Sequence, residues 1–400
     1  MAKILVAFFN CMNDPENPNA MPIFYEAFIR GLDRAGNQVA VFSHGMFGMD
    51  FWEIDPMTKA SIQQLDPDIC FIFNNSFFDI SDVVDCPIVI YEVDSPRYFA
   101  NKSSIRKNPD RYLYYIFQED SRKTLQEEYG ISPSKIFWVP FFSEVYADPM
   151  REQTTNISFI GSLFGTGDTE SFGSFIKCSP STEEVGMMRQ CLQELEKNPQ
   201  VTATELVYKY NITSELVARH LNLPQLLMML SEEKRLRVLS SVAELGLDLY
   251  GTENWQNTYY FHSNLNMSYI NKKVYSIEQN QDIYNTSKIG INVSHLQATS
   301  GFPWRVMDIM ASNACLVTDY HADFERLFGN IPIPTYDSTG EAYTVCRQLL
   351  NDEKRRSEIV AQCQEVIDRK YRFKHLLPKL EENSGVKLHV CNRICAGTFV

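Results

Sequence analysis

Arg305 and Asp308 stand three residues apart in a short amphipathic stretch, 304–312, so they share one face of any helix that forms there. Ahead of them runs a small-residue loop, 298–303, shaped by Gly301 and Pro303, and apolar runs at 289–293 and 315–318 flank the whole. The order predicts strand, loop, helix, strand. In that unit the loop aims free backbone N–H groups and a positive helix end at whatever lies above a parallel sheet. A carboxylate just inside the helix can hold sugar hydroxyls through charge-assisted hydrogen bonds, and a guanidinium beside it can meet phosphates. The segment therefore predicts a nucleotide-sugar site. Asp308 is its ribose ligand, and Arg305 with the loop Ser300, Gly301, Phe302 and Pro303 faces the diphosphate. The same spacing also suits an ordinary surface ion pair.

The elements that must position these residues follow from the pattern of the whole chain. Four hundred residues exceed one ordinary core and suit two domains. Over the first 150 residues, short apolar runs at 3–8, 38–42, 69–74, 88–92, 114–118 and 135–139 alternate with amphipathic stretches such as 21–35, where Phe24, Phe28 and Leu32 recur at helical spacing. That alternation predicts a parallel α/β sheet. Polar residues at the strand ends, among them Asn10, Asn74, Asn75, Glu92 and Asp94, would gather along the edge where such sheets bind ligands. A polar segment with Pro149 at 146–155 reads as the linker.

A second α/β pattern starts at 157–160, breaks off into a largely helical insertion at about 165–245, and resumes at 247–250, Val274, 289–293 and 315–318. Helical periodicity marks 216–230 and 232–245, with Pro224 a break or a helix start, and a last helical region runs from 340 to 382. Residues 151–383 thus form the second domain, and 384–400 a tail without signal. Gly161-Ser162 and Gly251-Thr252 each follow a strand, so backbone there can approach a diphosphate or simply turn.

Several classes are excluded. The net charge of −13 leaves no broad nucleic-acid footprint, and no apolar run reaches membrane-span length. The chain has no Walker-type loop and no Gly-x-Ser-x-Gly elbow. Gly165-Thr166-Gly167 carries Glu170 where a dinucleotide fingerprint needs its third glycine, so it reads as a turn. Ten scattered cysteines without zinc spacing, Cys391 and Cys395 being the nearest pair, predict reduced thiols, a cytoplasmic protein and no structural metal.

Five pieces in order resemble a known family. PIVIYEVDSPRY, NISFIGSLF, LGLDLYGTENW, YNTSKIGINVS and GFPWRVMDIMASNACLVTDY are similar to segments of GT-B glycosyltransferases, most nearly the spore-maturation-protein (CgeB)-like branch. The resemblance spans roughly residues 85–375 and implies two Rossmann-like domains facing across a cleft. It implies a transferase that moves a sugar, from a UDP-sugar first of all, to a glycan, protein or lipid-linked acceptor. No metal or cofactor is implied, because cationic side chains and helix ends meet the phosphate charge; Asp66 and Asp68, the one Asp-x-Asp, precede a strand and lie away from the cleft.

The expected donor contacts are Gly161, Ser162, Gly251, Lys288, His295, Arg305 and Asp308, although Lys288 also suits solvating its helix end and His295 a packed polar position, with a base contact from a loop at 275–282 through the backbone of Ser276 and Ile277. Asn10, Asn74 and Asn75 fall on the acceptor side, with Asp94 as general base of an inverting reaction. Two departures stand out. Asp308 replaces the family's glutamate, and Ser300 occupies the position where retaining members carry a second one, so stereochemistry stays open. A nucleotide-sugar 2-epimerase of the same fold, or a non-catalytic sugar- or nucleotide-binding scaffold, also stays open, as does a peripheral membrane contact. Exposed-looking aromatics at 47–52 and 259–261 suit a peptide, a glycan or a lipid.

Overall fold

The computed structural model describes residues 1–10, 12, 17, 20–44, 54–75, 80–99, 102–163, 170–329 and 331–388. The Gly-Thr-Gly at 165–167, the aromatics at 47–52 and the Cys391/Cys395 pair lie outside them. The chain divides into two compact units: Met1–Phe117, Ser121–Glu144 and Lys370 onward make the first, and Gln118–Asp120 with Val145–Arg369 the second.

In the first unit, strands β1 (Lys3–Phe9), β2 (Gln38–His44), β3 (Ile69–Phe73), β4 (Ile88–Tyr91), β5 (Tyr112–Ile116) and β6 (Ile136–Trp138) form one sheet in the order β2-β1-β3-β4-β5-β6. Every pairing is parallel. Every residue of β3 and β4 is buried, as strands covered on both faces must be. β5 starts two residues before its expected place, with Tyr112 opposite Ile88. On one face, Phe24, Phe28 and Leu32 of the helix Ile23–Arg34 bury together, and Tyr25 stacks on Phe73 at 4.1 Å. The last helix, Phe373–Ser384, returns to this unit although its residues read as part of the second domain. It lays Phe373 over Gly31, where an added Cβ would come within 2.5 Å of the ring.

The second unit holds β7 (Thr155–Ile160), β8 (Leu247–Tyr250), β9 (Ser287–Ile291), β10 (Cys315–Asp319) and β11 (Thr335–Tyr336) in the order β11-β10-β9-β7-β8, again parallel throughout. The insertion between β7 and β8 is helical. Capping boxes start two of its helices, Ser181 with Glu184 and Thr202 with Glu205. Pro224 opens the helix Leu223–Val242, which runs unbroken through Ser231, so the two expected stretches at 216–230 and 232–245 do not divide there. Val274 is not in a strand; it packs as a buried side chain, while Tyr269 bridges to Leu249. Among the described residues no helix is long and apolar enough to cross a membrane.

Candidate functional site

In the second sheet β7 lies between β8 and β9, so the chain leaves β7 toward one edge and later fills the other. The crevice outside the carboxyl ends of β7 and β9 is the switch point at which doubly wound sheets bind ligands. Two guanidiniums converge on it. Arg305, first residue of the helix Arg305–Ala311, sits 4.9 Å from the Phe159 ring centroid, and Arg235, from the helix Leu223–Val242, sits 5.2 Å from the same ring. Arg305 Nη1 donates to Asn292 Oδ1 at 3.1 Å. Arg235 donates from Nη1 to the Ser162 carbonyl and from Nη2 to the Val293 carbonyl at 3.2 Å.

Burial lowers the pKa of both groups, and the Arg305 charge lowers that of Arg235 further. Tyr284, Asp308 and Asp319 pull Arg305 the other way. Arginine holds its proton under such pressure, so two like charges persist in a poorly solvated place. An anion entering beside them gains from both.

Glycine provides close approach where these loops meet. A Cβ on Gly161 would lie 2.8 Å from Arg305 Nη2 and 3.1 Å from the Phe159 ring, and one on Gly251 would lie 2.8 Å from the Gly161 carbonyl carbon. Trp255 Nε1 donates to the Gly161 carbonyl at 2.8 Å, and Ser162 Oγ accepts the Thr252 N–H at 3.2 Å. The two strand–glycine turns are thus one packed assembly.

Arg305 and Asp308 are not a surface pair. Asp308 is buried, and its Oδ2 accepts from Asn280 Nδ2 at 2.9 Å. Asn280 belongs to the helix Ile277–Asn285, capped by Ser276 Oγ accepting the Gln279 N–H at 3.2 Å. Residues 277–282 are therefore helix rather than loop, and the Ile277 side chain is buried.

A second network, missed in the sequence, adjoins the first. Asp319 Oδ2 takes the Lys234 ammonium at 2.7 Å, and its Oδ1 accepts the Ser294 N–H at 3.2 Å and hydroxyl at 3.0 Å. His321 Nε2 lies 2.9 Å from Ser294 Oγ. Burial works to raise the Asp319 carboxyl, but Lys234 and His321 together hold it well below the carboxylate range. A cavity of about 780 Å³ opens here, lined by Lys234, Thr299, Asp319, His321 and Tyr336 among others.

Other expected donor residues are placed differently. Lys288 stands near the amino end of β9 and donates to Asn156 Oδ1 at 2.9 Å, at the edge opposite Asn292. It cannot meet a ligand at the carboxyl ends. Phe302 stacks on Phe324 at 4.7 Å and belongs to the core. His295 accepts the Gln297 N–H on Nδ1 at 3.0 Å, and burial, helped by Arg235 and Lys234, pushes its pKa down to about 3. It is neutral and cannot supply a cation. Ser300 donates to Asp323 Oδ2 at 3.0 Å and accepts the Asp323 N–H on its carbonyl, which fixes the loop; Pro303 then opens the helix through its carbonyl to the Val306 N–H at 3.1 Å, with Gly301 buried between them.

In the first unit the switch point falls between β1 and β3, and Asn10, Asn74 and Asn75 follow those strands. Asn74 and Asn75 take positive φ of 54° and 50°. Asn74 Oδ1 accepts the Val93 and Asp94 N–H groups at 2.9 and 3.0 Å, and its Nδ2 donates to Asp94 Oδ2 at 2.7 Å. Asn10 instead closes its own loop through Met12 and Ala20. Glu92 is buried and accepts from Ser121 Oγ. Asp68 takes the Lys3 N–H at the amino end of β1. Among the described residues no His, Cys, Asp and Glu cluster could hold a metal ion.

This architecture has solved counterparts. HepE of Anabaena, in complex with UDP and glucose, is 9% identical with a TM-score of 0.54, the match covering 96% of this chain and 99% of that one. Sucrose-phosphate synthase of Thermosynechococcus elongatus is 7% identical with a TM-score of 0.56, covering 94% and 97%. WaaG, a glycosyltransferase involved in lipopolysaccharide biosynthesis, is 8% identical at 0.52, covering 96% and 100%. The fold is GT-B. Within it, residues 232–382 match the family described as glycosyl transferase-like, a stretch that holds Arg235, Asp308 and Asp319. No curated protein matches the chain.

Proposed function

We propose that the chain is a glycosyltransferase that moves a sugar, a hexose first of all, from a nucleoside-diphosphate donor to a hydroxyl-bearing acceptor. The observation that carries this reading is the pair Arg235 and Arg305 on one aromatic ring at the carboxyl end of β7. When the glycosidic bond to the donor breaks, negative charge develops on the departing diphosphate. Two guanidiniums already oriented by Asn292, Ser162 and Val293 stabilise that charge with little reorganisation. Gly161 lets the phosphates approach backbone, and Asp308, steadied by Asn280, takes the ribose hydroxyls. The phosphate charge is met by these side chains without a metal ion.

UDP is the favoured nucleotide, since HepE, which shares the fold, is known in complex with UDP. On the first unit, Asp94, oriented by Asn74, is the base that would take the acceptor proton in an inverting reaction. The CgeB-like branch is the family assignment that the five sequence segments favour. The test is a panel of nucleotide sugars followed by thermal shift and by release of free nucleotide. At least one donor raises the melting temperature and is turned over, and Asp308→Ala abolishes turnover with the fold intact. No stabilisation and no turnover across the panel would refute the proposal.

A further inference from the structure

Beside the Gly251 turn the second unit carries a spur: the 3-10 helix Glu253–Tyr260 followed by the helix Ser263–Ser268. Its exposed residues include a run of large apolar and aromatic side chains. Tyr259 is 60% exposed, Tyr260 85%, Phe261 86%, Met267 86% and Ile270 45%. Large side chains that exposed and that close in the chain mark an interaction surface.

The spur is firmly built. Trp255, Thr258 and Leu265 are buried beneath it, and the Trp255 indole donates to the Gly161 carbonyl. Asn264 exchanges hydrogen bonds with Ser240 of the long insertion helix, its Nδ2 reaching the Ser240 carbonyl at 2.9 Å. The display of rings is therefore fixed by packing underneath.

Charge points to what it meets. In a chain with 50 Asp and Glu, none occurs between Glu253 and Glu278, while Lys272 and Lys273 follow the aromatic run. Lys273 reaches back to Glu253 at 3.3 Å, and Lys272 is exposed. Two copies of the spur face to face would bring lysine toward lysine, since the one acid of each spur, Glu253, is already paired with Lys273. Tyrosine rings with their hydroxyls, apolar tips and flanking lysines suit the boundary between lipid headgroups and acyl chains, where such side chains gather.

We propose that this spur docks the protein on an anionic phospholipid surface. The docked face is tied through Trp255 to Gly161, so the membrane would lie beside the candidate donor site and favour an acceptor carried in it. The docking itself does not depend on the transferase reading.

The test is co-sedimentation of the full chain with vesicles of phosphatidylcholine alone and of phosphatidylcholine mixed with phosphatidylglycerol. The wild type sediments with the mixed vesicles and less with the neutral ones. The double substitution Tyr260→Ser with Phe261→Ser lowers the partition coefficient roughly tenfold or more, and Lys272→Glu removes the preference for phosphatidylglycerol. All variants keep the wild-type melting temperature, because the side chains are exposed. Tyr208→Ser, at an exposed tyrosine on the helical insertion away from the spur in sequence, changes nothing. Absence of wild-type binding to either vesicle overturns the proposal, as does equal binding by the double variant. A dimer that forms without vesicle binding and is lost in that variant assigns the surface to a second copy and overturns it too.

Discussion

Arg235 and Arg305 come from two different helices and set their guanidiniums 5.2 and 4.9 Å from the centroid of one phenylalanine, Phe159. Neither is the other's partner: one is held by backbone carbonyls, the other by Asn292. Like charges gathered at a strand end, packed against a glycine turn, make a place for an anion.

Removing either charge should weaken nucleotide binding. Arg305→Ala is expected to lower the affinity for a nucleoside diphosphate about tenfold to hundredfold, the equivalent of ~1.5–3 kcal/mol for a charge-assisted hydrogen bond. Arg305→Lys should recover part of it, since an ammonium keeps charge but not the fork. Calorimetric titration reads both. Arg235→Ala should also lower the melting temperature, because it releases two carbonyls as well as a charge.

The two glycines should separate binding from stability. Alanine at Gly161 meets the far end of a flexible side chain, Arg305, so it should displace the guanidinium and weaken nucleotide binding with a small loss in melting temperature. Alanine at Gly251 meets the backbone of Gly161, which cannot yield, and should cost roughly 1–3 kcal/mol of stability by denaturant titration. The reverse ranking would contradict the packing described.

His295 gives a pH signature. Its folded pKa is pushed down to about 3 from an ordinary 6.5, so between those values the unfolded chain binds more protons than the folded one. Stability from this group is present above 6.5 and is lost as pH falls through that window. His295→Gln should flatten the acid side of the stability curve there, measured by melting at a series of pH values.

The first unit has its own test at the crossing of Gly31 and Phe373. Gly31→Val should lower stability, since the ring lies where its side chain would go, and Phe373→Ala in the same chain should relieve part of the loss. Additive losses would mean the two do not touch.

Much of this is legible in the amino-acid sequence. Apolar runs bounded by asparagine and glycine located most strands, because a strand buried on both faces leaves no polar position. The loop and helix at 300–311 stood out through Gly301, Pro303 and the spacing of Arg305 and Asp308 between two apolar runs. Arg235 did not. Within EEKRLR it looks like one more cation on a solvated helix face, and only the passage of that helix over the end of β7 buries it. Lys288 misled in the opposite direction: it flanks a strand of the site, but it precedes the apolar run 289–293 and so stands at the strand's amino end, away from the ligand edge, just as Asp66 and Asp68 do. Asn292, Asp319 and His321 are polar residues at strand ends whose connection appears only when β9 and β10 pair. β11 is two residues long and leaves no periodicity to read.

The most direct measurement is a titration of the full chain and of Arg305→Ala with UDP and other nucleoside diphosphates. The account predicts saturable binding of at least one of them to the wild type, UDP first, and a loss of about tenfold or more in the variant. Binding of none of them, or equal binding to both proteins, would contradict it.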